Sequence, residues 1–169
     1  MDEAGLTENR QATRLYIALT RAYKKIVAMD LRNIDSYGLN PTEFGVLEFL
    51  FHKGAHPLQQ IGNHILITSG TITYVMDKLE QKGLIVRNPC ETDRRMIYAE
   101  ITAAGRQRMS KILPGHYQAI ATALEGLNAE EKEQAIHLLK KISFSVVNAI
   151  QEQYNLRKQR TLPEGRHES

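Results

Sequence analysis

The chain has one cysteine, no tryptophan and a formal charge of only +3 across 169 residues. A single cysteine cannot close an intramolecular disulfide, so the fold is no disulfide scaffold and a reducing compartment suits it. No apolar run approaches the roughly 20 residues of a membrane-spanning helix. The acidic Met1-Asp2-Glu3 start is followed by no apolar signal segment. A cytoplasmic chain without a membrane partner is expected. Also missing are a phosphate-cradling glycine loop and a nucleophile elbow. His52, His56 and His64 are interrupted by Gly54 and Pro57, whereas a zinc site needs three or four converging ligands. Neither an enzyme nor a bound metal or cofactor is expected. A hydrophobic content of 42% suffices for the core of one domain.

The informative chemistry lies between Leu58 and Thr102. Leu58, Ile61 and Ile65 recur at helical spacing, and Leu66-Ile67-Thr68 breaks the rhythm. A second helix is expected from Ser69 to Gln81, with Ile72, Val75, Met76 and Leu79 inward and Gly83 as its stop. Its outward N-terminal flank is Ser69, Gly70, Thr71, Thr73 and Tyr74, all small or uncharged, with Lys78 a turn further on. A recognition helix enters a major groove N-terminus first, where short side chains allow close approach and backbone N–H groups meet phosphates. Taken alone, the same pattern also describes a solvated, hydroxyl-rich helix face.

A β-hairpin should follow. Leu84-Ile85-Val86-Arg87 is β-prone, Ile97, Ala99 and Ile101 alternate, and the loop between them carries Asp93-Arg94-Arg95. At that spacing a carboxylate can hold the Arg95 guanidinium in one orientation, which suits a narrow, electronegative minor groove. A surface ion pair bracing the turn is the other reading of Asp93 and Arg95. Arg87, Arg94, Arg95, Arg106, Arg108 and Lys111 gather on and after the hairpin, a distribution that fits a phosphate-tracking face.

The segment from Thr68 to Ile85 resembles the recognition helix of the MarR family of bacterial transcription regulators. Asp93-Arg94-Arg95 followed by Ile101-Thr102-Ala103-Ala104-Gly105 is similar to that family's "D-R-R … L-T-x-x-G" signature. The resemblance covers about Leu39 to Gly105. It implies a mainly α (α+β) winged helix-turn-helix with a two-stranded β-wing, and a homodimer built by the N- and C-terminal helices. Such proteins are usually repressors released by a small aromatic or phenolic ligand or by an oxidant. Carried over by position, the DNA-contacting residues are Ser69, Gly70, Thr71, Thr73, Tyr74 and Lys78, with Asp93, Arg94 and Arg95 on the wing. Relatives often have a basic residue where this chain has Tyr74. A winged helix used only for protein contact is the alternative.

The flanks read as helices. Ala12, Leu15, Leu19, Ala22 or Tyr23, and Ile26 recur from about Thr7 to Met29, and Tyr37-Gly38-Leu39 turns the chain. Asn40-Pro41-Thr42-Glu43 and Asn128-Ala129-Glu130-Glu131 are capping boxes, and Thr102 can cap a further helix. Pro114-Gly115 should kink or split that helix. The last helix carries Ile136, Leu139, Val146 and Ile150. Stripes on either side of a small module have too little partner surface in one chain. A two-fold dimer buries them and sets two recognition helices roughly 34 Å apart, one turn of a palindromic double-stranded DNA site. The expected division is 1–36 and 102–155 for dimerisation, 37–101 for DNA, and a tail without structure at 156–169.

Two weaker signals remain. Cys90 lies beside wing arginines that favour thiolate, although relatives with thiol switches commonly place the cysteine near the N-terminal helix. Tyr16, Tyr23, Phe44, Phe49 and His116 are aromatic enough to line an effector pocket, or simply to fill core.

Overall fold

The computed structural model describes residues 3–65, 69–90, 93 and 96–160. In chain order the elements are α1 (Glu3–Ser36), α2 (Pro41–Lys53), β1 (His56–Pro57), α3 (Leu58–His64), α4 (Ser69–Gln81), β2 (Ile85–Pro89), β3 (Ile97–Ile101), α5 (Ala103–Ala123) and α6 (Ala129–Arg160). The fold is the mainly helical winged helix-turn-helix expected. The chain divides into two compact units, Met1–Ala123 and Leu124–Ser169.

In the first unit, α2 starts where its sequence says. The Glu43 N–H donates to Asn40 Oδ1 at 2.8 Å and the Asn40 N–H to Glu43 Oε2 at 3.1 Å, so two orphan donors are satisfied reciprocally. The recognition-type helix α4 ends on Gly83, whose φ of +67° favours glycine. Its N–H donates to Glu80 O (2.8 Å) and that of Leu84 to Leu79 O (2.9 Å), which reverses the chain straight into β2. Val46, Leu47 and Leu50 of α2, Ile61 of α3, Met76 and Leu79 of α4, Ile85 of β2 and Met109 of α5 are fully buried together.

Two expectations for this unit need correction. The wing hairpin β2–β3 forms, with Ile85 opposite Ile101 and Pro89 opposite Ile97, but β1 adds a third antiparallel strand on the far edge of β3. His56 precedes a proline, which drives it out of the helical region, and Pro57 is tolerated because the strand lies at an edge. Pro114 does not split α5, which runs unbroken through it. Met109, Ile112, Leu113 and His116 are buried on both sides of it, so packing outweighs the one backbone hydrogen bond that proline removes.

The second unit is one long helix. A capping box opens it, with the Asn128 N–H donating to Glu131 Oε2 (2.8 Å) and the Glu131 N–H to Asn128 Oδ1 (3.0 Å). It continues to Arg160, past Leu156 where an unstructured tail was expected, and the rest of that tail lies outside the described residues. Asn155-Leu156-Arg157-Lys158 contains no helix breaker, so local preference continues the helix. Phe144, Val147, Ile150 and Tyr154 are 60–68% exposed and fall within one face of α6 at helical spacing. On α1, Leu15, Tyr16 and Tyr23 are likewise exposed. No helix among the described residues is long and apolar enough to cross a membrane.

Candidate nucleic-acid interface

The α4 helix has two unlike sides. Ile72, Val75, Met76 and Leu79 are buried, which fixes its rotation and leaves Gly70, Thr71, Thr73 and Tyr74 exposed. The Lys78 ammonium stacks 4.7 Å over the Tyr74 ring, a cation–π contact one turn along the helix. A hydrogen bond with the Tyr74 hydroxyl raises the Lys78 pKa. A Cβ built on Gly70 would meet no atom within 4 Å. Packing within the chain therefore gives no reason for glycine there. Ser69 opens the helix, and its side chain lies outside the described residues.

At the tip of the hairpin the Cys90 N–H donates to Met96 O and the Met96 N–H to Asp93 O, both at 2.9 Å. Asp93 is exposed. Arg94 and Arg95 lie outside the described residues, so the Asp93–Arg95 pairing expected from the sequence does too.

Three of the basic residues read from the sequence as one cluster, Arg87, Arg106 and Arg108, have partners within the chain. Arg87 Nη1 lies 2.7 Å from Asp77 Oδ1, and its Nε donates to Glu80 Oε2 at 3.0 Å. Arg106 sits over the Phe51 ring at 5.5 Å. Arg108 donates to Tyr37 O at 2.9 Å. Positions adjacent in sequence showed charge but not partners, and Asp77 and Glu80 precede Arg87 by ten and seven residues. Lys82 is bound as well: its Nζ is 2.6 Å from Glu43 Oε1, joining the end of α4 to the start of α2. Burial pushes the Glu43 carboxyl up, but hydrogen bonds from Lys82 and the Asn40 backbone, with the charge of Lys82, leave it below the ordinary value.

The aromatic candidates separate. Phe44 packs on His116 at 4.5 Å, and His116 Nδ1 is 2.8 Å from Asn33 Oδ1. Phe49 instead contacts the rings of His56 (5.0 Å) and His64 (4.6 Å). It borders a cavity of about 570 Å³ with Gly45, Glu48, His52, Lys53, His64 and Ile65. Beside that cavity Tyr117 donates to Glu48 Oε1 (3.2 Å), so His52 Nε2, 2.8 Å from the same hydroxyl, is the donor in their contact. Burial and the Glu48 charge raise the Tyr117 pKa. Tyr16 and Tyr23 are 68% and 64% exposed and reach neither group.

The MarR family model matches residues 39–97, the span from two residues before α2 to the first residue of β3. The chain is 46% identical over 135 residues to the HTH-type transcriptional regulator MhqR of Bacillus subtilis, covering 80% of this chain and 93% of that one. It is 44% identical to YkoM of the same organism, an uncharacterised HTH-type transcriptional regulator, covering 79% and 87%. Among solved structures it is similar to BpsR of Bordetella bronchiseptica, whose DNA binding is regulated by 6-hydroxynicotinic acid. That match has a TM-score of 0.68 and 28% identity, and covers 77% of this chain and 98% of that one. The family match over 39–97 together with the 46% identity to MhqR across most of both chains shows that this chain belongs to the MarR family of DNA-binding transcription regulators.

Proposed function

We propose that this chain is a cytoplasmic, homodimeric repressor that reads a palindromic operator with two copies of α4. Each copy inserts the flank of Ser69, Gly70, Thr71, Thr73 and Tyr74 into the major groove. Lys78 meets a flanking phosphate, and Arg94 and Arg95 of the wing, with Asp93 orienting Arg95, reach the adjacent minor groove. Residues 37–101 serve as the DNA-binding part, and 1–36 with 102–155 as the dimerisation part.

The observation that carries this reading is Gly70. It sits in the first turn of an exposed helix face, with open space where its Cβ would be. A missing side chain there matters only to something outside the chain, and a backbone brought close to DNA is such a need. An effector that binds the DNA-competent arrangement of the dimer worse than another arrangement shifts the population off the operator. By likeness to BpsR, a hydroxylated aromatic ring is the chemical class, and the cavity bordered by Phe49, with the Tyr117 hydroxyl nearby, offers such a ring stacking and hydrogen bonds.

The test is selection of bound duplexes from a random pool, followed by titration of variants. Gly70→Ala should leave stability unchanged or raise it by up to about 1 kcal/mol, since alanine is the better helix former, while weakening operator binding. Thr73→Ala should cost about 1–3 kcal/mol of discrimination between operator and random DNA. Arg95→Ala should cost a similar amount in affinity and lower the salt slope by about 1. Full operator binding by Gly70→Ala and Thr73→Ala together would remove α4 from the interface.

A further inference from the structure

Arg87 is on β2, the strand that leaves α4 through the Gly83 turn, and its side chain turns back onto that helix. Nη1 lies 2.7 Å from Asp77 Oδ1. Nε donates to Glu80 Oε2 at 3.0 Å, and Nη2 meets the same oxygen. Glu80 closes the loop from the other side, because its Oε1 accepts the Arg87 backbone N–H at 3.1 Å. One guanidinium thus holds two carboxylates three residues apart, and one of those carboxylates holds the strand's own backbone. The hydrogen bond from Arg87 keeps the Glu80 carboxyl below its ordinary value, in keeping with a charge-assisted pair.

The placement matters because of what shares the row. Thr73, Asp77 and Glu80 follow one another at i, i+4 and i+7 on α4, so the carboxylates extend the line of a residue assigned to the groove. Two uncompensated negative charges there would face DNA phosphates. The major and minor grooves also stand in a fixed relation, so a helix in one and a wing in the next must keep one mutual angle. The turn at Gly83 alone leaves that angle to backbone torsions.

We propose that Arg87 is a positioning residue for DNA recognition: its fork on Asp77 and Glu80 fixes the wing strand to the recognition helix and offsets one of the two negative charges on that flank, rather than meeting phosphate itself. This rests on the α4-and-wing interface proposed above. It also reverses the expectation from the sequence, where Arg87 counted among the phosphate-tracking arginines.

Two variants of the full-length protein give opposite signs under the two roles. Glu80→Gln removes a negative charge near DNA but breaks the fork. As a positioning device its loss should lower the ratio of operator to random-duplex affinity by about tenfold, although binding to random duplex tightens through simple electrostatics. Were Arg87 a phosphate contact restrained by Glu80, the same variant would free it and tighten both duplexes equally. Arg87→Lys keeps the charge and a phosphate contact but cannot span two carboxylates. It should therefore lose the ratio by a similar factor with an unchanged salt slope. Titrations are run at 25 °C on variants shown by thermal melts to be folded, since a loss of folded fraction alone lowers both affinities together and leaves their ratio intact. A Glu80→Gln that tightens both duplexes, or an Arg87→Lys that binds as the parent does, overturns the proposal. If Thr73→Ala and Arg95→Ala lose affinity while these two do not, only the positioning role has failed. If all four are silent, the interface falls with it.

Discussion

Gly105 decides how closely the wing sheet sits against α5. A Cβ at this position would lie 2.2 Å from the Leu84 carbonyl oxygen and 2.8 Å from Ile101 Cγ1. The oxygen cannot give way cheaply, because it accepts the Thr102 N–H at 3.0 Å. Thr102 adds two further bonds at the same joint, donating its hydroxyl to Gly83 O (2.7 Å) and accepting the Gly105 N–H (3.0 Å) as the helix cap. Gly105→Ala must therefore push the start of α5 away from the chain entering β2. It should cost about 2–3 kcal/mol, as overpacking does, and lower the melting temperature by roughly 5–10 °C. Gly126→Ala is the control, since a Cβ there meets nothing within 4 Å and its melt should match the parent's. A Gly105→Ala protein that also melts like the parent would show that the joint adjusts without penalty.

Between elements, the bond from Lys82 to Glu43 ties the end of the recognition helix to the start of α2. Glu43 is buried and its folded-state pKa is lowered, so the folded chain favours the carboxylate more than the unfolded chain does. The stability this gives is present above the ordinary carboxyl range and is lost as pH falls through the folded value. Glu43→Gln keeps a capping side chain but loses the charge, and should cost about 1–2 kcal/mol at pH 7. In urea melts the gap between parent and variant should close as pH is lowered toward and below the ordinary carboxyl value. A gap that stays constant with pH would mean that shape, not charge, makes the joint. The elements themselves were largely legible because their signals are local. Both capping boxes, the Gly83 stop and the apolar stripe of α4 are written within a few residues of where they act. β1 was missed because two residues give no periodicity and their partner, β3, lies some forty positions away. The partners of Arg87, Arg106 and Arg108 escaped for a similar reason: sequence proximity groups charges, whereas folding pairs them across turns and helices. The α4 flank could be proposed from residue type and spacing. The open space at Gly70 needed coordinates.

For the whole molecule, the apolar side chains left exposed on α6 are the proposed subunit contact. Phe144, Val147, Ile150 and Tyr154 of α6 share one face, and a side chain of that size stabilises by about 1.5–3 kcal/mol when fully buried. Left in water, such a face favours association, and a two-fold dimer is the simplest closed solution. Affinity for a palindrome then depends on association, because one subunit engages one half-site while the second is held at high effective concentration over the other. Phe144→Asp with Val147→Asp places two charges in that face and should raise the dimer dissociation constant by at least about 100-fold, since burying an unpaired charge costs several kcal/mol. Sedimentation at micromolar concentration should show monomers, and operator affinity should fall toward that for a single half-site. The α4 region would be untouched, so the contrast between operator half-site and random DNA should persist in the monomer. Dimers that survive both aspartates would move the subunit contact off this face of α6.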